Sequence, residues 1–301
     1  MKSLFSAVGA VILAFGVSFA AWAAQPLLTP SELDAIRQAP MVRVVDIRPA
    51  DDYAAGHIPG AVSAPYGQWR GPVDNPGELP SIARLTGIVR GLGVDADTHV
   101  VVASAGADAI DFGASARVYW TLKYLGLKNL SILNGGLKAW ADAGLPQDQQ
   151  VVDVSASAFE AHADDGLIAA KERVAAQVGN PRVRLVDARP SDFYLGKTKA
   201  PTARVPGTIK GAVSLEYGKW FEPGTAVFIP AAQARGIAAQ SLPEQADETI
   251  TFCNTGQFGA IDWFALSEVA GWKNVRLYPP SLTEWSQDPV LPMDNVPEGE
   301  S

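Results

Sequence analysis

Apolar residues in this chain fall into two kinds of run. Val42–Asp46 and residues 184–187 are short, β-branched and closed by an acidic residue, as strands ending at a loop are. Residues 100–102 and 249–252 are nearly continuous apolar or β-branched runs, the pattern of central strands buried on both faces. Over 115–125 and 260–269 the apolar positions instead recur at helical spacing. Each of these stretches closes at a glycine, Gly126 or Gly271, where a helix end favours one. Strands alternating with helices predict an α/β fold with a mainly parallel sheet. In such folds ligands bind outside the carboxyl ends of the strands.

The pattern is written twice. Val44-Val45-Asp46-Ile47-Arg48-Pro49 returns as Leu185-Val186-Asp187-Ala188-Arg189-Pro190, and Gly60-Ala61-Val62-Ser63 followed by Tyr66-Gly67-Gln68-Trp69 returns as Gly211-Ala212-Val213-Ser214 followed by Tyr217-Gly218-Lys219-Trp220. Asn129, Leu137 and Trp140 are matched by Asn274, Leu282 and Trp285. Three landmarks in one order imply a duplicated domain, over residues 26–146 and 166–295. Polar residues 147–165 read as the linker. The second copy carries an insert over residues 197–206, bringing Lys197, Lys199 and Arg204.

Residues 1–23 look like a secretory signal peptide: Lys2, an apolar run, then Ala21-Trp22-Ala23 as a cleavage site. The run is nearly long enough to anchor a helix in a bilayer, so a retained anchor is the alternative. Cleavage predicts an exported protein with no membrane attachment, periplasmic if the host has an outer membrane. A net charge of -8 argues against nucleic acid, which needs a concentrated basic surface, but leaves room for a small anion.

Cys253 is the only cysteine, so no internal disulfide forms. It follows the buried run Ile250-Thr251-Phe252 and precedes Asn254-Thr255-Gly256-Gln257-Phe258-Gly259, with a helix predicted from Gly259 or Ala260. A tight strand-to-helix loop turns successive backbone N–H groups inward and aims the helix dipole at its bowl. Gly256 permits the positive φ that curls such a loop. Sulfur in that bowl is favoured as thiolate, the nucleophilic form.

Cys253-Asn254-Thr255-Gly256-Gln257-Phe258 resembles the six-residue active-site loop of rhodaneses, Cys-x-x-Gly-x-x. The tandem arrangement, Asp187-Ala188-Arg189, the Pro206-Gly207 turn through Ala212 and the Leu282-x-x-Trp285 ending are similar to the two-domain thiosulfate and 3-mercaptopyruvate sulfurtransferases, over nearly all of the mature chain. The resemblance implies two rhodanese-like domains and ping-pong sulfur transfer. Cys253 would carry a persulfide, cradled by Asn254, Thr255, Gly256, Gln257, Phe258 and Gly259. Arg189 would bind a small anionic donor, supported by Asp187, and a thiol or cyanide would accept the sulfur. No cofactor and no metal is implied. The first copy is expected to be silent, with Ala103 in the place of Cys253 and a following loop, 104–114, about five residues longer.

Alternatives stand beside several of these assignments. Arg189 could instead form an ion pair with Asp187 or Asp192, a reading that Arg48 in the first copy supports. Phe193 stands where many relatives have a second arginine, so Lys197, Lys199 and Arg204 are candidates for the missing charge, or else a solvated basic loop. A phosphatase would need an arginine six residues after the cysteine, where Gly259 stands. A cysteine hydrolase needs a neighbouring histidine, and His57, His99 and His162 all precede the second copy without metal-ligand spacing. A different class of function keeps the same loop: a non-enzymatic carrier that hands persulfide to an acceptor protein.

Overall fold

The computed structural model describes residues 24–242 and 246–295. The leader expected over residues 1–23 lies outside the described residues. In the first domain β1 (Leu27–Leu28), α1 (Pro30–Ile36), β2 (Val42–Asp46), α2 (Ala50–Ala55), β3 (Val62–Ser63), α3 (Ile82–Gly91), β4 (His99–Ala103), α4 (Ala109–Tyr124), β5 (Leu130–Leu133) and α5 (Gly136–Asp142) follow in turn. The second domain repeats the scheme with α6 (Lys171–Gln177), β6 (Val183–Asp187), α7 (Ser191–Tyr194), β7 (Thr208–Ile209), β8 (Val213–Ser214), α8 (Ala231–Ser241), β9 (Glu248–Phe252), α9 (Gln257–Trp263), β10 (Val275–Leu277), α10 (Ser281–Trp285) and β11 (Met293–Asp294). The sheets run β1-β5-β4-β2-β3 and β10-β9-β6-β8, every pairing in them parallel. The α/β fold with mainly parallel sheets is thus present twice.

Alternation along the strands assigns each residue to a layer. Val44, Val101 and Ala103 point to an outer core with Leu33 and Trp140. Val45, Val100 and Val102 point the other way, into the largest cluster, which continues into Val186, Ile261, Trp263 and Phe264 of the second domain. Leu185, Ile250 and Phe252 close a separate outer core with Leu282 and Trp285. The two domains therefore share one inner core across the facing helices α4 and α9. Phe112 of α4 is seated among Phe221, Phe228 and Phe264, with ring centroids at 5.1, 5.5 and 5.8 Å. Burying one such ring is worth roughly 2 kcal/mol. Around this seam, Glu268 Oε2 accepts from the Tyr119 hydroxyl at 2.8 Å and Lys123 Nζ at 2.7 Å.

Beyond α5 the chain crosses to the second domain without regular elements through residue 165. His57 anchors its start: the ring stacks on Tyr53 at 3.8 Å, with Nδ1 2.8 Å from Tyr53 O and Nε2 3.2 Å from Gln150 O.

Candidate active site

Cys253 is the first residue past the carboxyl end of β9, 2% exposed. Two anchors hold its peptide. Its N–H donates to Ser281 Oγ at 3.0 Å, and its carbonyl accepts from Leu282 N at 3.1 Å. Asn254 O accepts from Thr283 N at 3.0 Å. Gly256, at φ 73°, then turns the chain directly into α9. The helix begins at Gln257, earlier than the expected Gly259 or Ala260, because the left-handed glycine is itself the cap. The loop is therefore Cys253 through Gly256, and Gln257, Phe258 and Gly259 form the first turn of the helix. Among the described residues, the N–H groups of Asn254, Thr255 and Gly256 have no acceptor in the chain. Three free donors and a helix N-terminus directly after a cysteine are the elements of an anion-stabilising cradle.

Ser281 is missed by sequence reading. It adopts φ 55°, a conformation that disfavours any side chain, and is fully buried. Its hydroxyl donates to Tyr278 O at 2.8 Å while accepting from Cys253 N. Phe258 stacks on Tyr217 at 4.0 Å and walls one side of the loop. Gln257 reaches across the seam, Nε2 donating to Ile110 O at 2.7 Å.

Arg189 is 1% exposed. Its Nε and Nη2 grip Asp187 at 2.9 and 2.6 Å, Nη2 also donates to Gly207 O, and Nη1 donates to Asn254 Oδ1 at 3.3 Å. Thr208 Oγ1 completes the shell of Asp187 at 2.7 Å. Arg48 grips Asp46 and Gly56 O in the same way in the first copy. What sets Arg189 apart is its bond to the loop through Asn254. The insert residues are engaged locally. Lys197 pairs with Asp192 at 3.1 Å, Lys199 donates to Ala203 O, and Arg204 donates to Ser286 O. Thr202 of the insert meets Thr283 at 2.6 Å, so the insert braces the strand-helix corner that holds Asn254.

The first copy corrects two expectations. Pairing of β4 and β9 with β2 and β6 places Ala103 opposite Asp46 and Phe252 opposite Asp187. Ser104, whose carbonyl accepts from Leu137 N as that of Cys253 accepts from Leu282 N, is thus the counterpart of Cys253, not Ala103. Nor is the loop five residues longer. It spans residues 104–108 before Asp108 caps α4, against 253–256 in the second copy.

A Rhodanese-like domain model matches the chain twice, over residues 29–143 and 170–288. The chain belongs to the rhodanese family. It is 30% identical over 284 residues to a probable 3-mercaptopyruvate sulfurtransferase of Pseudomonas aeruginosa, covering 89% of this chain and 97% of that one. It is equally 30% identical over 272 residues to a thiosulfate sulfurtransferase of the same organism, covering 89% and 96%. Its relatives in the rhodanese family are thus sulfurtransferases, and the chain joins them at that level. Among solved structures, the 3-mercaptopyruvate sulfurtransferase SseA of Escherichia coli superposes with a TM-score of 0.73 at 21% identity, covering 86% of this chain and 99% of that one. That likeness shows the shared rhodanese fold. Among the described residues no group of His, Cys, Asp and Glu could hold a metal, and no helix is long and apolar enough to cross a membrane.

Proposed function

We propose that this rhodanese-family protein moves a sulfane sulfur from a small anionic donor to a thiol or cyanide through a persulfide on Cys253. The observation that carries the reading is the loop: a cysteine at the end of β9, followed by the N–H groups of Asn254, Thr255 and Gly256, which have no acceptor among the described residues, and by the head of α9. The Cys253 thiolate attacks the outer sulfur of the donor. The bond between that sulfur and the remainder of the donor breaks, and the leaving group takes the electron pair. The new S–S bond leaves a terminal sulfur anion on Cys253, which the same donors stabilise. A nucleophilic acceptor then takes the outer sulfur and returns the thiolate. Neither step needs a general base beside Cys253.

Relatives named for thiosulfate and for 3-mercaptopyruvate match equally well, so the donor is proposed by its chemistry: a compact anion carrying a transferable sulfur. Arg189, through Asn254, sets the loop that receives it. The leader supports action outside the cytoplasm after cleavage. The test is thiocyanate formation from cyanide with thiosulfate and, separately, with 3-mercaptopyruvate, comparing wild type with Cys253→Ser. Turnover with either donor, lost in the variant by a factor of about a thousand or more, is the expected result. A folded wild-type protein that gives no turnover, yet gains one sulfur atom by mass on Cys253, would replace the enzyme by a carrier serving an acceptor protein.

A further inference from the structure

Besides Arg189, a second cation seated against the Cys253 loop comes from the other domain. Arg117, on α4, is 0% exposed. Nη2 donates to Gly77 O at 2.8 Å, and the guanidinium lies over the Trp120 ring at 5.3 Å. Among the described residues, Nε and Nη1 have no hydrogen-bond partner. Nη1 faces the active-site turn: a Cβ added at Gly256 would lie 2.4 Å from it and 2.4 Å from Pro279 O. A buried cation with unanswered N–H groups is costly, and well-packed apolar residues commonly replace buried charges without loss. The helix does not need this arginine for its own sake.

The surroundings indicate what it serves. Burial and the like charge of Arg70 draw the Arg117 pKa down to about 10, while Tyr66 and Cys253 act in the opposite sense. Arg117 therefore remains a cation at neutral pH. Arg70 Nη1 donates to the Tyr66 hydroxyl at 2.9 Å. From the second domain, Arg189 is compensated by Asp187, and Glu284 accepts from the Tyr278 hydroxyl. Cys253 is then the anion-forming group on the loop that Arg117 meets, and the loop itself has only Asn254 and Thr255 where a cation could have stood.

We propose that Arg117 is a positioning residue of the sulfur-transfer site, supplying from the first domain the fixed positive charge that favours an anionic sulfur at Cys253 and backs the Gly256 turn. The inference rests on the reading of Cys253 as the sulfur-bearing residue. Its test follows the thiol directly and needs no turnover. The ultraviolet absorbance of the Cys253 thiolate is titrated against pH, with a Cys253→Ser background subtracted, in wild type, Arg117→Met, Arg117→Gln and Arg117→Lys. The two neutral variants are expected to raise the midpoint by about one unit, a tenfold smaller thiolate fraction below both midpoints. Lysine should recover part of the shift. Arg117→Gln keeps a donor for Gly77 O, so it guards against a methionine variant that fails to fold. An unmoved midpoint in either folded neutral variant overturns the proposal. A moved midpoint without turnover in wild type would leave the coupling standing and overturn the proposed enzyme. Turnover with an unmoved midpoint would do the reverse.

Discussion

The two copies build the same corner and fill it differently. In each, a central strand ends, a short loop turns under a left-handed glycine, and a helix departs. In the first copy the N–H groups of Gly106 and Ala107 are answered by the chain's own carboxylate: Asp111 Oδ2 accepts from them at 2.6 and 3.4 Å. Asp111 is the third residue of α4. The third residue of α9 is Gly259, where a Cβ would crowd the Phe252 backbone at 3.0 Å. A cradle closed by an internal anion thus faces a cradle kept open. The corner behind the loop differs as well. Gly136 sits at φ 58° where the second copy has Ser281 at φ 55°, and only the serine offers an oxygen to the residue that begins the loop.

The largest effect should come from filling the open corner. Gly256→Ala forces a left-handed alanine and drives its Cβ to 2.4 Å from both Arg117 Nη1 and Pro279 O. Strain and overpacking together should cost about 2–4 kcal/mol. A loop displaced by about an ångström should lower turnover roughly a hundredfold. Thermal unfolding and thiocyanate assays on the same preparation check both. Unaltered activity would mean that the turn is not what positions Cys253.

A smaller effect is expected from making the second corner like the first. Ser281→Gly removes the acceptor for Cys253 N–H but also relieves the positive-φ strain. Each term is about 1 kcal/mol, so stability should hardly move. Turnover should fall roughly tenfold, about 1.4 kcal/mol in the barrier. Ser281→Ala keeps the strain and loses the bond, so it should be the less stable of the two by about 1 kcal/mol. The opposite ranking in a melting experiment would sink the strain argument.

Converting the first copy is expected to fail, and the failure is informative. Ser104→Cys in a Cys253→Ser background places a thiol at the equivalent position, yet Asp111 holds the donors that a persulfide would need. No turnover should return. Asp111→Ala alone should leave thiocyanate formation unchanged and lower stability by about 1 kcal/mol, from partly exposed N–H groups left to water. Activity gained by Ser104→Cys alone would show that the internal carboxylate is not what closes this copy.

How much of this was legible beforehand depends on the range of the interactions. Runs such as Val44-Val45 and Val100-Val101-Val102 announce parallel strands, and the duplication carries the fold from one half to the other. Cys253 is legible because its strand, loop and helix are contiguous. Register at the first corner was not: Val-Val-Val-Ala-Ser has no residue that marks where the ladder stops, and hydrogen bonding placed Ser104 where Ala103 was expected. The start of α4 did carry a local signal, Asp108 three residues before Asp111, in the form of a side-chain cap. Arg117 and Ser281 meet the loop only through packing between elements far apart in sequence. An arginine amid Ala116, Val118 and Trp120 is the one local hint of the first.

The helices that face each other across the seam each bury an ionisable group, and the two groups differ in role. On α4 it is Arg117, at the loop. On α9 it is Asp262, fully buried, with Oδ1 accepting from Trp220 Nε1 at 2.7 Å and Oδ2 without a hydrogen-bond partner among the described residues. Burial holds the Asp262 carboxyl well above the usual range, against the pull of the Trp220 bond, so the folded chain holds that proton to higher pH than the unfolded chain does. The unfolded chain gives that proton up above about pH 4. Stability therefore drains as pH rises from there and is unaffected below it, where both states are protonated. Asp262→Asn mimics the protonated form in shape and neutrality. It should be the more stable protein in denaturant at pH 7, with the advantage shrinking to nothing as pH falls toward 4, and its turnover should match wild type. An advantage that does not change with pH would mean packing, not an uncharged carboxyl, explains the difference. A fall in turnover would instead tie Asp262 to the chemistry, and the two helices would then act on the loop from both sides.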